Sequence, residues 1–179
     1  MVRVVKIIIL SVLLISCISP KSYYLKDGFT KVPLDSNYFK KEKKAPLNVD
    51  FDAVYIVSYY VGHNYLWDYN KGEHLTRSGL RFYKNGNVSS FEILKIRIKN
   101  LPDLNPSTTG YRGVSFMKKG GSYITMFVPK TEYLRYGKKT HSIEIKGDSL
   151  FVRDIVDNSL YIYLKQKLTG GNMEYNGTW

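Results

Sequence analysis

The sequence predicts a mainly β protein: an antiparallel up-and-down meander of about eight strands, closed into a small barrel, with room for one short helix. Three observations predict it. Short runs rich in Tyr, Phe, Val and Ile recur from residue 51 to residue 165, and these residue types suit a pleated, half-buried surface. Turn-forming pairs separate the runs, at Asn85-Gly86, Gly120-Gly121 and Gly147-Asp148. No long stretch carries the 3.6-residue apolar period of a helix.

The first element is not part of that barrel. Arg3 and Lys6 precede an apolar run from Ile7 to Ile15, broken only by Ser11. A spanning helix needs about 20 apolar residues, whereas a signal-peptide core needs about 7–15, so residues 1–16 are expected to be a signal peptide. The single cysteine, Cys17, follows at once, and with no second cysteine no intrachain disulfide can form.

Leu14-Ile15-Ser16-Cys17 resembles the lipobox of bacterial lipoproteins. The resemblance implies cleavage before Cys17, a diacylglyceryl group on its sulfur and acylation of the new amino group. One acyl chain holds a protein only marginally, at about 0.8 kcal/mol per buried methylene, while two or three chains hold it firmly. The expected address is the bacterial cell envelope. Ile18 follows Cys17 and no acidic residue occurs before Asp27, which under the same resemblance leans toward the outer membrane.

Residues 17–48 are expected to be the lipidated N-terminus and a basic tether, with Lys40-Lys41-Glu42-Lys43-Lys44 as its charged cluster. A flexible coil of about 30 residues reaches roughly 30 Å. Tyr23, Tyr24, Leu25, Tyr38 and Phe39 are too apolar for a pure linker, so part of the segment should pack on the domain. The barrel is assigned to residues 49–168 and a tail to 169–179.

Within the barrel, FDAVYIVSYYV (51–61) is almost continuously apolar and fits a strand buried on both faces. LRFYKNGNVSSFEI (80–93) places two extended runs around Asn85-Gly86, the signature of a type I′ hairpin. Leu94, Ile96 and Ile98 then alternate with Lys95, Arg97 and Lys99, after a slip in phase at Ile93 that suggests a bulge. LPDLNPSTTG (101–110) breaks the chain with two prolines. A second hairpin is expected around Gly120-Gly121 and a third at Gly147-Asp148. KTEYLRYGKK (130–139) is the one candidate helix, with Thr131 as its N-cap. LYIYLK (160–165) alternates once more and supplies the last strand.

The two hairpins LRFYKNGNV and IEIKGDSLFV, together with the lipobox, resemble small bacterial lipoproteins with a lipocalin-like barrel. That resemblance implies a ligand held inside the barrel, a small apolar molecule.

Charge and chemistry narrow the function classes. Loss of residues 1–16 removes Arg3 and Lys6 and leaves 25 basic against 15 acidic residues, a formal charge of +10. Such a charge favours anionic partners or simply maintains solubility. Export from the cytosol removes nucleic acid from the candidates and promotes anionic glycolipid. The aromatic cluster in residues 51–69 offers Tyr55, Tyr59, Tyr65 and Trp67 as candidate ligand-binding residues, or as ordinary core packing. Lys95, Arg97 and Lys99 project from one strand face about 7 Å apart, either to meet phosphates or as a solvated face.

Catalysis finds little in the sequence. His63, His74 and His141 lack close metal spacing, so neither metal nor cofactor is expected. Ser115-Phe116-Met117-Lys118 matches Ser-x-x-Lys but lies in strand pattern without its usual companion motifs. The expectation is therefore a lipid-anchored, non-catalytic binding barrel. The alternative is a filled barrel that serves as an accessory subunit of an envelope complex.

Overall fold

The structure is a computed structural model that describes residues 20–35, 37–42, 44–45, 47–62, 65–71, 76–94, 101–130 and 135–179. Its elements are β1 (Ser22–Tyr24), β2 (Lys31–Pro33), β3 (Ala53–Val61), β4 (Leu66–Asp68), β5 (Thr76–Phe82), β6 (Asn87–Leu94), β7 (Tyr111–Lys118), β8 (Gly121–Lys130), β9 (Arg135–Lys146), β10 (Ser149–Asp154), β11 (Leu160–Lys167) and a 3₁₀ turn, Gly170–Met173.

β5 to β11 pair with their neighbours in chain order, all antiparallel, and β11 returns to pair with β3. The closed barrel therefore has eight strands, β3 and β5–β11, as the alternating runs and turn spacing predict. β4 is an extra strand: β3 pairs with β5 through Val54–Ile56, then with β4 through Tyr59–Val61.

β3 shows why its apolar run is unbroken. Ala53 to Ser58 are all buried. Tyr55 and Val57 join the barrel interior with Leu80, Phe82, Val88, Ile124, Met126, Leu150, Val152 and Tyr163. Val54 and Ile56 point the other way, into a second cluster with Phe91, Ile93, Leu104 and Leu168. That cluster is roofed by the 101–110 connection and by the chain after β11. A register shift between Ile162 and Tyr163 leaves Ser58 as a bulge against β11, which resets the phase of β3 before Tyr59.

A third cluster lies on the outer face of β7 and β8, where Phe39 covers Val114 and Phe127 and Tyr38, Tyr136 and Trp179 complete it. The N-terminal segment is thus built into the fold. β1 and β2 pair with each other, and Val32 between them is fully buried. Ala45 N–H donates to the Ser115 carbonyl at 2.9 Å, and Ser115 Oγ donates back to the Ala45 carbonyl at 2.7 Å.

Two local expectations need correction. Arg135–Lys139, expected in a short helix, are the first residues of β9, because each pairs across to β8 from Lys130 to Met126; Thr131 lies outside the described residues. The hairpin at Asn85-Gly86 exists, but not as a type I′ turn. Gly86 alone has positive φ (+80°) and its N–H bonds the Tyr83 carbonyl at 2.9 Å, so the loop is a three-residue turn with glycine in the left-handed position. Asn85 is occupied otherwise: its Oδ1 accepts the Asn87 N–H and its Nδ2 donates to the Gly177 carbonyl. The second hairpin turns on Lys119 and Gly120, both at positive φ, one residue before the expected pair.

Candidate ligand-binding site

The barrel interior is filled at one end and hollow at the other. At the filled end Leu47, Tyr55, Phe82, Val88 and Leu150 pack together, with the Tyr55 ring edge-on to Phe82 at 5.8 Å. At the other end a cavity of about 480 Å3 remains. Val57, Leu80, Ile124, Met126, Val152 and Tyr163 make its apolar wall, contributed by β3, β5, β8, β10 and β11. Its volume falls within the range of about 300–1,000 Å3 typical of small-molecule sites.

Polar groups from four strands, β5, β6, β9 and β11, converge on this space. Ser78 and Ser90 meet across β5 and β6 with their hydroxyls 3.2 Å apart. Arg77 is buried, and its Nη1 and Nη2 donate to Asn70 Oδ1 (2.9 Å) and the Tyr69 carbonyl (2.7 Å). Its Nε has no hydrogen-bond partner among the described residues. His141 on β9 is only 12 % exposed, and its Nδ1 likewise has no partner there. A buried donor or acceptor left unpaired is costly, so such atoms are natural contacts for a ligand or ordered water.

Burial dominates the electrostatics of this lining. Burial pushes His141 down from 6.5 to about 4; the Lys139 charge acts the same way, against the Asp154 and Asp157 carboxylates. At neutral pH the imidazole is therefore uncharged. Asp154, opposite His141 in the ladder, is buried and held by Lys139 at 2.6 Å. Burial would raise its pKa, yet the Lys139 and Val156 hydrogen bonds and the Lys139 and His141 charges hold it below the usual carboxylate value. Burial raises Tyr69, pushes Tyr161 up to about 12 and raises Tyr163 further, so these phenols remain protonated donors.

None of the four candidates Tyr55, Tyr59, Tyr65 and Trp67 is in this lining, although Tyr69 of the same aromatic cluster is. Tyr55 packs below it in the filled half, with its hydroxyl accepting the Asp50 N–H at 3.1 Å. Tyr59 lies on β3 beyond the bulge, half-buried. Tyr65 and Trp67 are exposed on and before β4. Cys17, Lys95, Arg97, Lys99, His63 and His74 lie outside the described residues. The lining tyrosines are instead Tyr69, Tyr161 and Tyr163. The alternation of LYIYLK carried a signal for the last two; nothing in sequence ties Arg77 to His141, because only barrel closure brings their strands to one space.

A second concavity, about 740 Å3, is a groove on the outer face of β7–β9. Phe116 and Tyr123 stack at 5.5 Å on its floor, and Lys41, Lys118 and Lys119 stand around it. Its one carboxylate, Glu42, is taken by Lys138 at 2.7 and 2.8 Å. Among the described residues no group of three or more His, Cys, Asp or Glu side chains comes together.

No protein-family model, curated protein or solved structure matches this chain.

Proposed function

We propose that this chain is a lipid-anchored protein of a bacterial envelope whose barrel holds a small amphiphilic molecule without transforming it. One observation carries the binding half of this reading: a barrel packed at one end retains a cavity of about 480 Å3 at the other, with an apolar wall and an unpaired polar atom on His141. A molecule with an apolar body and a polar group complements that lining, the polar group lying toward His141 Nδ1 and the Ser78–Ser90 hydroxyls. The lipobox residues Leu14-Ile15-Ser16-Cys17 support the anchor, and through it the envelope address. The +10 charge of the processed chain and the basic groove outside β7–β9 suit an anionic glycolipid, the other ligand class the composition favours.

Native mass spectrometry of the protein purified from its own envelope tests the reading. The expected result is a bound small molecule, absent from a Val128→Trp variant, because Val128 lines the cavity and an indole there fills it. A ligand retained by that variant, or a protein that arrives empty from the envelope, overturns it. The accessory-subunit reading draws on the packed half of the barrel and on exposed apolar residues such as Leu66 and Val156. It expects a stoichiometric protein partner in the same spectrum.

A further inference from the structure

The chain that leads into the barrel leaves it in a defined direction. β1 and β2 lie against the outer face of β7 and β8. Their connecting turn is at the cavity end: Asp27 N–H donates to the Thr108 carbonyl at 3.1 Å, just ahead of β7. Lys31 Nζ stands 5.2 Å over the Tyr136 ring, near the start of β9 at that same end. Followed back toward the N-terminus, β1 runs away from the cavity end. The Lys21 carbonyl accepts the Leu34 N–H at 2.9 Å, and Leu34 shares a hollow with Trp179, whose ring meets Tyr83 next to the β5–β6 turn. In a meander successive turns alternate between ends, and the β5–β6, β7–β8 and β9–β10 turns all lie at the filled one.

The lead beyond Lys21 is short. Cys17 precedes Pro20 by three residues, at most about 11 Å of extended chain. The reach of roughly 30 Å expected of a free tether is not available to a chain held at Lys21. Acyl chains on Cys17 would therefore hold the filled pole against the bilayer.

Charge at that pole fits an anionic surface. Its turns read Lys84-Asn85-Gly86, Lys118-Lys119-Gly120 and Lys146-Gly147-Asp148. The carboxylates nearby are matched within the fold: Glu42 by Lys138, Glu144 by Lys146, and Asp50 and Asp148 by Lys165. Asp52 lies in the field of the buried Arg81. Lys84, Lys118, Lys119 and Lys41 are exposed and form no ion pair among the described residues. Three of these four lysines ring the outer groove, whose floor is the Phe116–Tyr123 stack and whose rim carries Met117, 52 % exposed. Unmatched lysines around apolar and aromatic side chains suit a headgroup boundary, where phosphates meet the cations and the apolar groups leave water.

We infer that the filled pole docks on the anionic phospholipid surface that holds Cys17, with Lys41, Lys84, Lys118 and Lys119 as its headgroup contacts. The cavity mouth, at the opposite pole, then faces away from the bilayer, and the ligand enters and leaves on the aqueous side. The inference rests on the anchored-binder reading above and adds the orientation of the barrel.

Two full-length variants, Met117→Cys and Val156→Cys, test it; both positions are exposed, one at each pole. With Cys17 acylated, the introduced thiol is the only one open to a bimane label. Each labelled protein is placed in vesicles of phosphatidylglycerol and phosphatidylethanolamine that carry a headgroup nitroxide lipid, and quenching is measured. The expected result is several-fold stronger quenching at position 117 than at position 156. The difference should collapse in about 1 M salt, where the screening length is about 3 Å, and in a Lys84→Glu, Lys118→Glu, Lys119→Glu background. Equal quenching at the two positions, stronger quenching at 156, or a difference that survives both salt and charge reversal overturns the inference. A label at 117 that is shielded from acrylamide yet untouched by the lipid nitroxide means that protein, a second copy included, covers the pole, which overturns it as well. Intact mass and vesicle flotation report the anchor separately. An unacylated product sinks the reading above, whereas an acylated, floating protein with equal quenching at both poles sinks the docking alone.

Discussion

His141 concentrates the pH dependence expected of this barrel. It faces Asp154 at 3.8 Å, and Asp154 is held by Lys139 at 2.6 Å. In the unfolded chain His141 takes its proton near 6.5; in the fold, burial delays that to about 4. Between these values the unfolded state binds more protons, so the stabilisation is complete above 6.5 and is lost as pH falls toward 4. The difference corresponds to about 3 kcal/mol. Asp154, with a lowered pKa, contributes in a separate and more acid window, below its unfolded value of 3.8. Urea midpoints of the wild type should therefore drop between neutral pH and pH about 4, and those of His141→Gln should change much less. A parallel drop in both proteins rules His141 out as the source. Gly113 makes a steric case at the same scale. A Cβ there collides with Met126 Sδ and meets the Thr125 carbonyl oxygen at 2.6 Å, and the carbonyl cannot swing aside without breaking the β7–β8 ladder. Gly113→Ala should cost about 1–3 kcal/mol by denaturant titration.

Among elements, the β5–β6 hairpin acts as a clamp for the end of the chain. Asn87 is 1 % exposed, and its Nδ2 donates to the Gly177 carbonyl at 2.7 Å and to the Trp179 oxygen at 3.2 Å. Trp179 Nε1 in turn donates to the Gly113 carbonyl at 3.2 Å, and its ring stands edge-on to Tyr83 at 5.7 Å. Asn87→Ala removes both donations, while Asn85 Nδ2 still donates to the Gly177 carbonyl and Lys44 Nζ to the Trp179 oxygen, a loss of about 1 kcal/mol. Because the loss falls on the tail, residues 174–179 should become susceptible to carboxypeptidase before the barrel unfolds; unchanged resistance refutes the clamp. This element also shows where sequence stops being informative. Asn85-Gly86 predicts a hairpin because the left-handed glycine is a local requirement, but the turn type follows from Asn85 reaching Gly177, a contact between distant segments. β3 and β11 were legible because burial on both faces, or on one, writes itself into period and composition. β1, β2 and β4 were not: each is three residues long, too short for a period, and β1 and β2 find their partners only once Val32 is covered. The cavity was illegible for the same reason, since Arg77, His141 and Tyr161 become neighbours through register and closure alone.

Closure is the property of the whole molecule on which the cavity depends. The β3–β11 ladder joins Val54 to Gln166 and Ile56 to Leu164, the ends of the barrel sequence, while the other barrel pairings join strands adjacent in the chain or separated by β4 alone. Loop-closure entropy makes such a long-range pairing expensive before the intervening meander exists, so it should form late. Ile56 reports on it: 4 % exposed, it packs outside the barrel in the cluster with Phe91, Ile93 and Leu168. Ile56→Val deletes one buried methylene for about 1 kcal/mol. If closure follows the folding transition state, the whole of that loss appears in the unfolding arm of a chevron plot, as an unfolding rate about fivefold faster and an unchanged folding rate. A matched control, Ile124→Val in the β8–β9 region whose long ladder is local, should instead divide its loss between the two arms. A slower folding rate for Ile56→Val, equal in share to that of the control, shows that the ring closes before the barrier and that the mouth is shaped from the start.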